Sequence, residues 1–153
     1  MIFTTKAEYG VRLLIQLGLD ESPPTSLKAV AEAEGLPLAY LERIAALLKK
    51  ADLVRSTRGA HGGYALARPA REVSFLDVIE AVEGPVVVNV CQDGSNHDSC
   101  KATGSCTMYG VWKLGQQRML EVYRHTTLDR LAMSDLRMPE PPPPVVRPVV
   151  EPR

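Results

Sequence analysis

Apolar residues recur at helical spacing in several blocks of this chain, and in one place the pattern switches to short β-prone runs. The first block predicts a helix from about Lys6 to Leu19, opened by a capping box of Thr5 with Glu8. Val11, Leu13, Leu14, Ile15, Leu17 and Leu19 leave it almost no polar face, so it should be buried on most sides, in part by a second subunit. Ser22-Pro23-Pro24 breaks it. Ser26 then caps a short helix, LKAVAEAE, which Gly35 ends. After Leu36-Pro37 a longer helix, LAYLERIAALLKKA, places Leu38, Leu41, Ile44, Ala45 and Leu48 on one face. Tyr40, Glu42, Arg43 and Lys49 lie away from that face. A short helix, a tight turn with glycine and a longer helix form a helix-turn-helix pattern.

The β-prone runs LVRSTR and YALAR follow directly and flank GAHGG, which reads as a hairpin with a flexible tip. Helix-turn-helix followed by a hairpin is the winged-helix layout. Ser74, with Asp77 three positions on, caps the helix FLDVIEAVEG, and Gly84-Pro85 stops it. A long helix is expected from about Thr107 to Arg124. Its Met108, Val111, Trp112, Met119, Val122 and Tyr123 recur near a seven-residue period that Gly115 completes, a seam that seeks a partner helix. One more short helix starts at Thr127-Leu128-Asp129-Arg130, and from Pro139 the chain is a polyproline-like tail that cannot pack. The expected fold is mainly α with a small β-hairpin wing. A winged helix-turn-helix occupies residues 1–84, a cysteine loop 85–106, a dimerisation helix region 107–136 and a proline-rich tail 137–153.

Net charge is zero over 153 residues, which taken alone argues against nucleic acid. The distribution reverses that. Residues 43–71 hold seven basic groups (Arg43, Lys49, Lys50, Arg55, Arg58, Arg68 and Arg71) against one acid, Asp52. A local basic stripe is the footprint of phosphate binding. The tip glycines let backbone come close to a phosphate or enter a narrow groove, and Arg58 would sit where minor-groove potential is most negative.

All three cysteines fall in NVCQDGSNHDSCKATGSCTMYGVW, as Cys91, Cys100 and Cys106, with C-x8-C-x5-C spacing. The N-terminus shows no signal peptide and no run is long enough to span a bilayer, so the chain is expected in the cytoplasm, where thiols stay reduced. An odd number of cysteines does not suit a disulfide framework either. Three loop thiolates suit an iron–sulfur cluster with a fourth ligand from elsewhere. Zinc would accept them with His97 as a Cys3His site, although the tight C-x2-C knuckle is missing. A thiol switch, with pKa lowered near Lys101, is also open.

The motifs LPLAYLERI, LVRSTRGAHGGYALARP and VSFLDVIEAVEG, followed by three cysteines before a Trp-bearing helix, resemble the Rrf2 family of winged-helix transcription regulators. The likeness extends over roughly residues 1–136 and points to the iron–sulfur branch, IscR-like and NsrR-like. It implies a homodimer that binds an imperfectly palindromic double-stranded operator, with recognition helices in major grooves and wings in neighbouring minor grooves. The implied base contacts are Ala39, Tyr40, Glu42 and Arg43, with Glu42 useful only where it meets a donor such as cytosine N4. The implied wing contacts are Arg58, Gly59, Gly62, Gly63 and Tyr64, and the implied phosphate contacts are Lys49 and Arg55.

The same resemblance bears on the fourth ligand. IscR-like members carry a histidine three residues after the last cysteine, where this chain has Tyr109. In NsrR-like members an acid of helix one completes the cluster of the opposite subunit, and here the matching residue is Glu8. Glu8, His97 and a non-protein ligand stay open, with a 4Fe–4S cluster favoured and 2Fe–2S possible. The function so implied is a repressor whose operator affinity follows the state of the cluster, under redox, nitric oxide or iron–sulfur control. A regulator governed by a protein partner, docking on the proline tail, is the contrasting class. No phosphate-binding glycine loop and no nucleophile–base pair is present, and His61, His97 and His125 sit in separate elements, so an enzyme is not expected.

Overall fold

Helix α1, Thr5–Leu19, is the hub on which most of the other elements pack. Its Ala7, Leu13, Leu14 and Leu17 are buried, as its near-continuous apolar sequence requires. In the computed structural model, residues 4–19, 24–59, 61–88 and 106–133 are described. Cys91, Cys100, His97, Lys101, the Ser22-Pro23 break and the proline tail lie outside them. The elements continue as α2 (Leu27–Glu34), α3 (Leu38–Lys50), β1 (Val54–Thr57), β2 (Gly63–Leu66), a 3-10 turn (Ala70–Glu72), α4 (Phe75–Glu83), α5 (Tyr109–His125) and α6 (Leu128–Ala132). The architecture is mainly helical with one two-stranded antiparallel hairpin, a winged helix-turn-helix followed by a long helix.

The helix starts show what neighbouring residues decide. Ser26 Oγ accepts from Ala29 N at 3.1 Å, and Ser74 with Asp77 forms the expected reciprocal box at 2.8 and 3.1 Å. The start of α1 differs from expectation by one residue. Thr4, not Thr5, is the cap: its Oγ1 accepts from Lys6 N at 3.2 Å and its carbonyl accepts from Ala7 and Glu8. Two adjacent threonines offer the same local chemistry. Thr4 is selected because its hydroxyl also donates to Glu83 at the end of α4. Glu8 is thereby left out of a capping box.

Helices α2 and α3 end in the same way. After α2, Gly35 is left-handed (φ 64°) and Leu36 N reaches back to Ala31 O at 2.9 Å. After α3, Asp52 takes the left-handed position (φ 55°), Asp52 N donates to Lys49 O and Leu53 N donates to Leu48 O at 3.0 Å. Both are Schellman endings, closed by a buried leucine, Leu36 in one and Leu53 in the other. An aspartate tolerates left-handed backbone better than most residues, so the second turn carried no glycine signal.

The hairpin pairs Val54 with Leu66, Arg55 with Ala65, Ser56 with Tyr64 and Thr57 with Gly63. The far edge of β2 is also occupied: Thr25 and Tyr64 exchange two main-chain bonds of 2.8 Å, which stitches the wing to the start of the helix-turn-helix. Gly63 makes that possible, since a Cβ there would lie 2.5 Å from Thr25 O. A second bridge joins Ser74 to Thr127, with Phe75 N on Thr126 O at 2.7 Å and Leu128 N on Val73 O at 3.0 Å. It ties α4 to the junction of α5 and α6, and Leu128 fills the core beside it.

Replacing Gly63 with Ala is expected to lower stability by about 1–3 kcal/mol in thermal or urea unfolding. Hydrogen exchange at Tyr64 N–H should accelerate in step, and unchanged protection there would show that the Thr25 bridge does not depend on the missing side chain.

Candidate functional site

Helix α3 turns Leu41, Ile44, Ala45 and Leu48 into the core and leaves Ala39, Glu42, Arg43, Ala46, Lys49 and Lys50 exposed. The expected apolar face is thus confirmed except for Leu38, which stands at the helix start with 36 % of its surface exposed. Tyr40 differs from expectation in the other direction. It is half-buried, and its ring meets Tyr9 of α1 edge-on with centroids 5.6 Å apart. The ring is therefore engaged in holding α3 on α1, while Ala39, Glu42 and Arg43 are open to a ligand. Among the described residues Glu42 forms no ion pair, so its carboxylate is free to accept from an external donor.

The basic stripe is physically continuous with this helix. Arg43, Lys49 and Lys50 lie on α3, Arg55 on β1, Arg58 at the wing, Arg68 after β2 and Arg71 in the 3-10 turn, and all are exposed. Among the described residues only Arg71 pairs with an acid, Glu72, at 3.7 Å. Surface charges usually mix their signs, so a row of unneutralised cations beside an exposed helix is a place for an external polyanion. Lys49 Nζ donates to Ser56 Oγ at 2.6 Å, which fixes the end of α3 against β1 and aims helix and wing together.

At the wing Arg58, Gly59 and His61 are exposed, and Gly62, Gly63 and Tyr64 are half-buried. Gly62 N donates to Gly59 O at 2.9 Å, and a Cβ on Gly62 would lie 2.4 Å from Thr57 O. Closure of the hairpin thus already accounts for Gly62, and the bridge to Thr25 accounts for Gly63. Gly59, with φ 117° and open space around its Cα, is the tip glycine with no such internal neighbour.

On the other side of α1 a groove of about 330 Å³ is lined by Thr4, Ala7, Glu8, Val11, Arg12, Phe75 and Ile79. The Glu8 side chain is 62 % exposed, and its carboxylate lies 3.5 Å from Arg12 Nη1. Cys106, half-buried, precedes α5 and accepts from Tyr109 N through its carbonyl at 3.2 Å. Tyr109 is exposed at the first turn of α5. Among the described residues no three His, Cys, Asp or Glu side chains gather closely enough to hold a metal, and Cys91 and Cys100 are not among them.

Helix α5 begins at Tyr109, two residues later than expected, and its seam is divided. Met119, Leu120 and Tyr123 pack on the chain's own core, with Tyr123 edge-on to Phe75 at 5.1 Å. Met108, Val111, Trp112, Leu114 and Val122 remain exposed. Gln116 Oε1 accepts from Val88 N at 2.9 Å, so the segment leading to the cysteines is tied to the middle of α5. Sequence patterns gave no hint of Gln116 or Thr25, because each bonds to main chain far away in sequence. Arg12 did carry a signal, four residues after Glu8 on one helix face.

Residues 3–134 match the model of the Rrf2 family, described as an iron-dependent transcriptional regulator. The HTH-type transcriptional regulator IscR of Pectobacterium atrosepticum is 33% identical over 132 residues, 86% of this chain and 79% of that protein. The structure of CymR, the global cysteine regulator of B. subtilis, superposes with a TM-score of 0.71 at 32% identity, covering 88% of this chain and 98% of that one. T. potens IscR gives 0.69 at 31% identity, over 92% and 94% of the two chains. These relatives are transcription regulators and not enzymes. Among the described residues no helix is long and apolar enough to cross a membrane.

If Lys49 meets a phosphate, Lys49→Met should weaken binding to all duplexes alike and reduce the slope of log K against log salt by about 1. Fluorescence anisotropy at several salt concentrations measures this, and a sequence-dependent loss would place Lys49 against a base instead.

Proposed function

The chain belongs to the Rrf2 family of transcriptional regulators, and from that premise we propose that it is a homodimeric repressor whose hold on a palindromic operator is governed by an iron–sulfur cluster. The observation that carries the DNA-binding part is the exposed row of cations along α3 and the wing, of which only Arg71 pairs with an acid among the described residues. Ala39, Glu42 and Arg43 are the base-reading side chains of this proposal. Lys49 and Arg55 hold phosphates, and Arg58 with Gly59 enters the minor groove.

The dimer reading rests on α5. Its uncovered stripe of Val111, Leu114 and Val122, with Met108 just before the helix and Trp112 at the border, is too apolar for water and has no cover within the described chain. A second copy supplies the same stripe in return, which is the self-complementarity a twofold axis needs. Two recognition helices then stand at a separation set by α5.

The sensor reading rests on the iron-dependent description of the family, on three cysteines before α5 and on the chemistry of the two donors described. Cys106 offers a thiolate and Glu8 an exposed carboxylate free of any cap, and both suit iron. Cys91, Cys100 and Cys106 would hold the cluster, with Glu8 of the opposite subunit as fourth ligand. When bound, the cluster supplies redox- and nitric-oxide-sensitive bonds that lock the loop. The protein's own part is to make DNA affinity differ between the locked and released loop. A cluster-free regulator is the second reading, favoured by the likeness to the cysteine regulator CymR.

Anaerobic purification decides between them. Brown protein with iron and acid-labile sulfide is expected, and colourless protein with stoichiometric zinc would overturn the cluster. Glu8→Ala should speed loss of the visible spectrum to a chelator, whereas an unaltered rate would remove Glu8 as ligand. Val111→Glu is expected to convert the dimer to monomer in light scattering and to cost operator affinity.

A further inference from the structure

The wing carries positive charge on both of its faces. Successive residues of a strand point to opposite sides. In β1, Val54 and Ser56 share one side: Val54 is in the core, and Ser56 Oγ accepts from Lys49 Nζ of α3 at 2.6 Å. Arg55 therefore points the other way, beside its cross-strand partner Ala65. Ala65 is buried yet is not part of the main core cluster, as expected on a face turned away from it. On this side lies a cavity of about 370 Å³, walled by Leu17 and Gly18 of α1, by Leu66 and by Ala70. Its charged lining is Arg55 and Arg68, with no carboxylate among the described residues.

Both arginines stand on bonded backbone. Ala67 N donates to Leu53 O at 3.0 Å, one step beyond the Val54–Leu66 pair, and so holds the chain just before Arg68. Pro69 follows, its φ set by the ring, and its carbonyl accepts from Glu72 N at 2.8 Å. Gly18 lets α1 approach from the other side, since a Cβ there would lie 3.3 Å from Leu66 Cδ1. The two guanidiniums are exposed, and among the described residues neither has a hydrogen bond or an ion pair. The acid closest in sequence to Arg68, Glu72, pairs with Arg71 instead. Two unpaired like charges on one cavity repel each other, and an anion between them turns that cost into attraction.

We propose that Arg55 and Arg68 form a seat for a backbone phosphate of the duplex, on the face of the wing away from Lys49. This rests on the DNA-binding reading above and adds Arg68 to it. A hairpin that enters a minor groove has a sugar–phosphate strand on either side. Lys49 meets the strand on the α3 side, and Arg55 with Arg68 meets the other. Planar guanidiniums present paired N–H groups to the oxygens of one phosphate. The wing is thereby held from both strands, and this contact positions it without reading sequence.

The test is methylphosphonate scanning with the full chain. The probe is a duplex recovered by in vitro selection from random DNA, and affinity is read by fluorescence anisotropy. Each phosphate is neutralised in turn and titrated with the unaltered protein, Arg68→Ala and Lys49→Met. Thermal melts confirm that the variants are folded. Arg68→Ala should weaken binding to every duplex by about 3- to 10-fold and lower the slope of log K against log salt by about 1. One phosphate whose neutralisation costs the unaltered protein affinity should cost Arg68→Ala nothing. It should lie on the other strand from any phosphate that Lys49→Met silences. No silenced phosphate, or one and the same phosphate silenced by both variants, overturns the seat. So does inorganic phosphate that raises the melting temperature through Arg68 while Arg68→Ala leaves duplex affinity unaltered, because the cavity then serves a free anion. A chain that selects no duplex overturns the proposed function and the seat together, whereas undiminished duplex binding by Arg68→Ala overturns the seat alone.

Discussion

Helix α1 cannot face water, and the rest of the molecule is arranged around that fact. Leu13 and Leu14 are fully buried and Leu17 nearly so. Each such side chain contributes about 1.5–3 kcal/mol by leaving water. No single neighbour can cover a helix that is apolar on most sides, so α2, α3, α4, α6 and strand β2 all pack on it. The helix-turn-helix, the wing and the α4–α6 corner therefore share one support. Anything that shifts α1 is felt by each of them.

The cationic surface of α3 and the wing gains its rigidity from short, fully bonded connections. Two Schellman endings turn the chain sharply on either side of α3, each closed by a buried leucine. The wing is held on three sides: by its own ladder, by Thr25 and by Lys49 on Ser56. The exposed side chains of α3 and the wing thus project from secondary structure whose relation to the core is fixed, and among the described residues only Arg71 of the cations there pairs with an acid.

Helix α5 is less enclosed than the rest of the described chain. Helix α5 is tied to the body by the Ser74–Thr127 bridge and by Tyr123 on Phe75, yet it buries none of its residues fully. The same region holds Cys106, the Gln116 bond to Val88 and, across α1, the groove with Glu8. Under the proposed function, dimerisation and sensing meet in this region, and α4 packs on both α5 and α3.

Much of this was legible from the chain itself. Ser26, Gly35, Ser74 and Asp77 mark their helix boundaries because a cap or a left-handed turn is settled by residues a few positions apart. The winged-helix order and the clustering of cations between residues 43 and 71 follow from periodicity and charge, which need no tertiary knowledge. What required the fold was each choice between locally equivalent options. Thr4 prevails over Thr5 as the cap because Glu83 is within its reach, Tyr40 turns toward Tyr9 instead of outward, and Met119 and Tyr123 are taken into the chain's own core while Val111 and Val122 are not. The bonds from Arg12 to Glu34, from Thr25 to Tyr64 and from Val88 to Gln116 join residues many positions apart. The sequence determined which segments are helical, which face of each is apolar and where the positive charge lies. Only the tertiary packing decided which distant polar groups meet, because that depends on where whole helices and strands come to rest and not on the order of neighbouring residues.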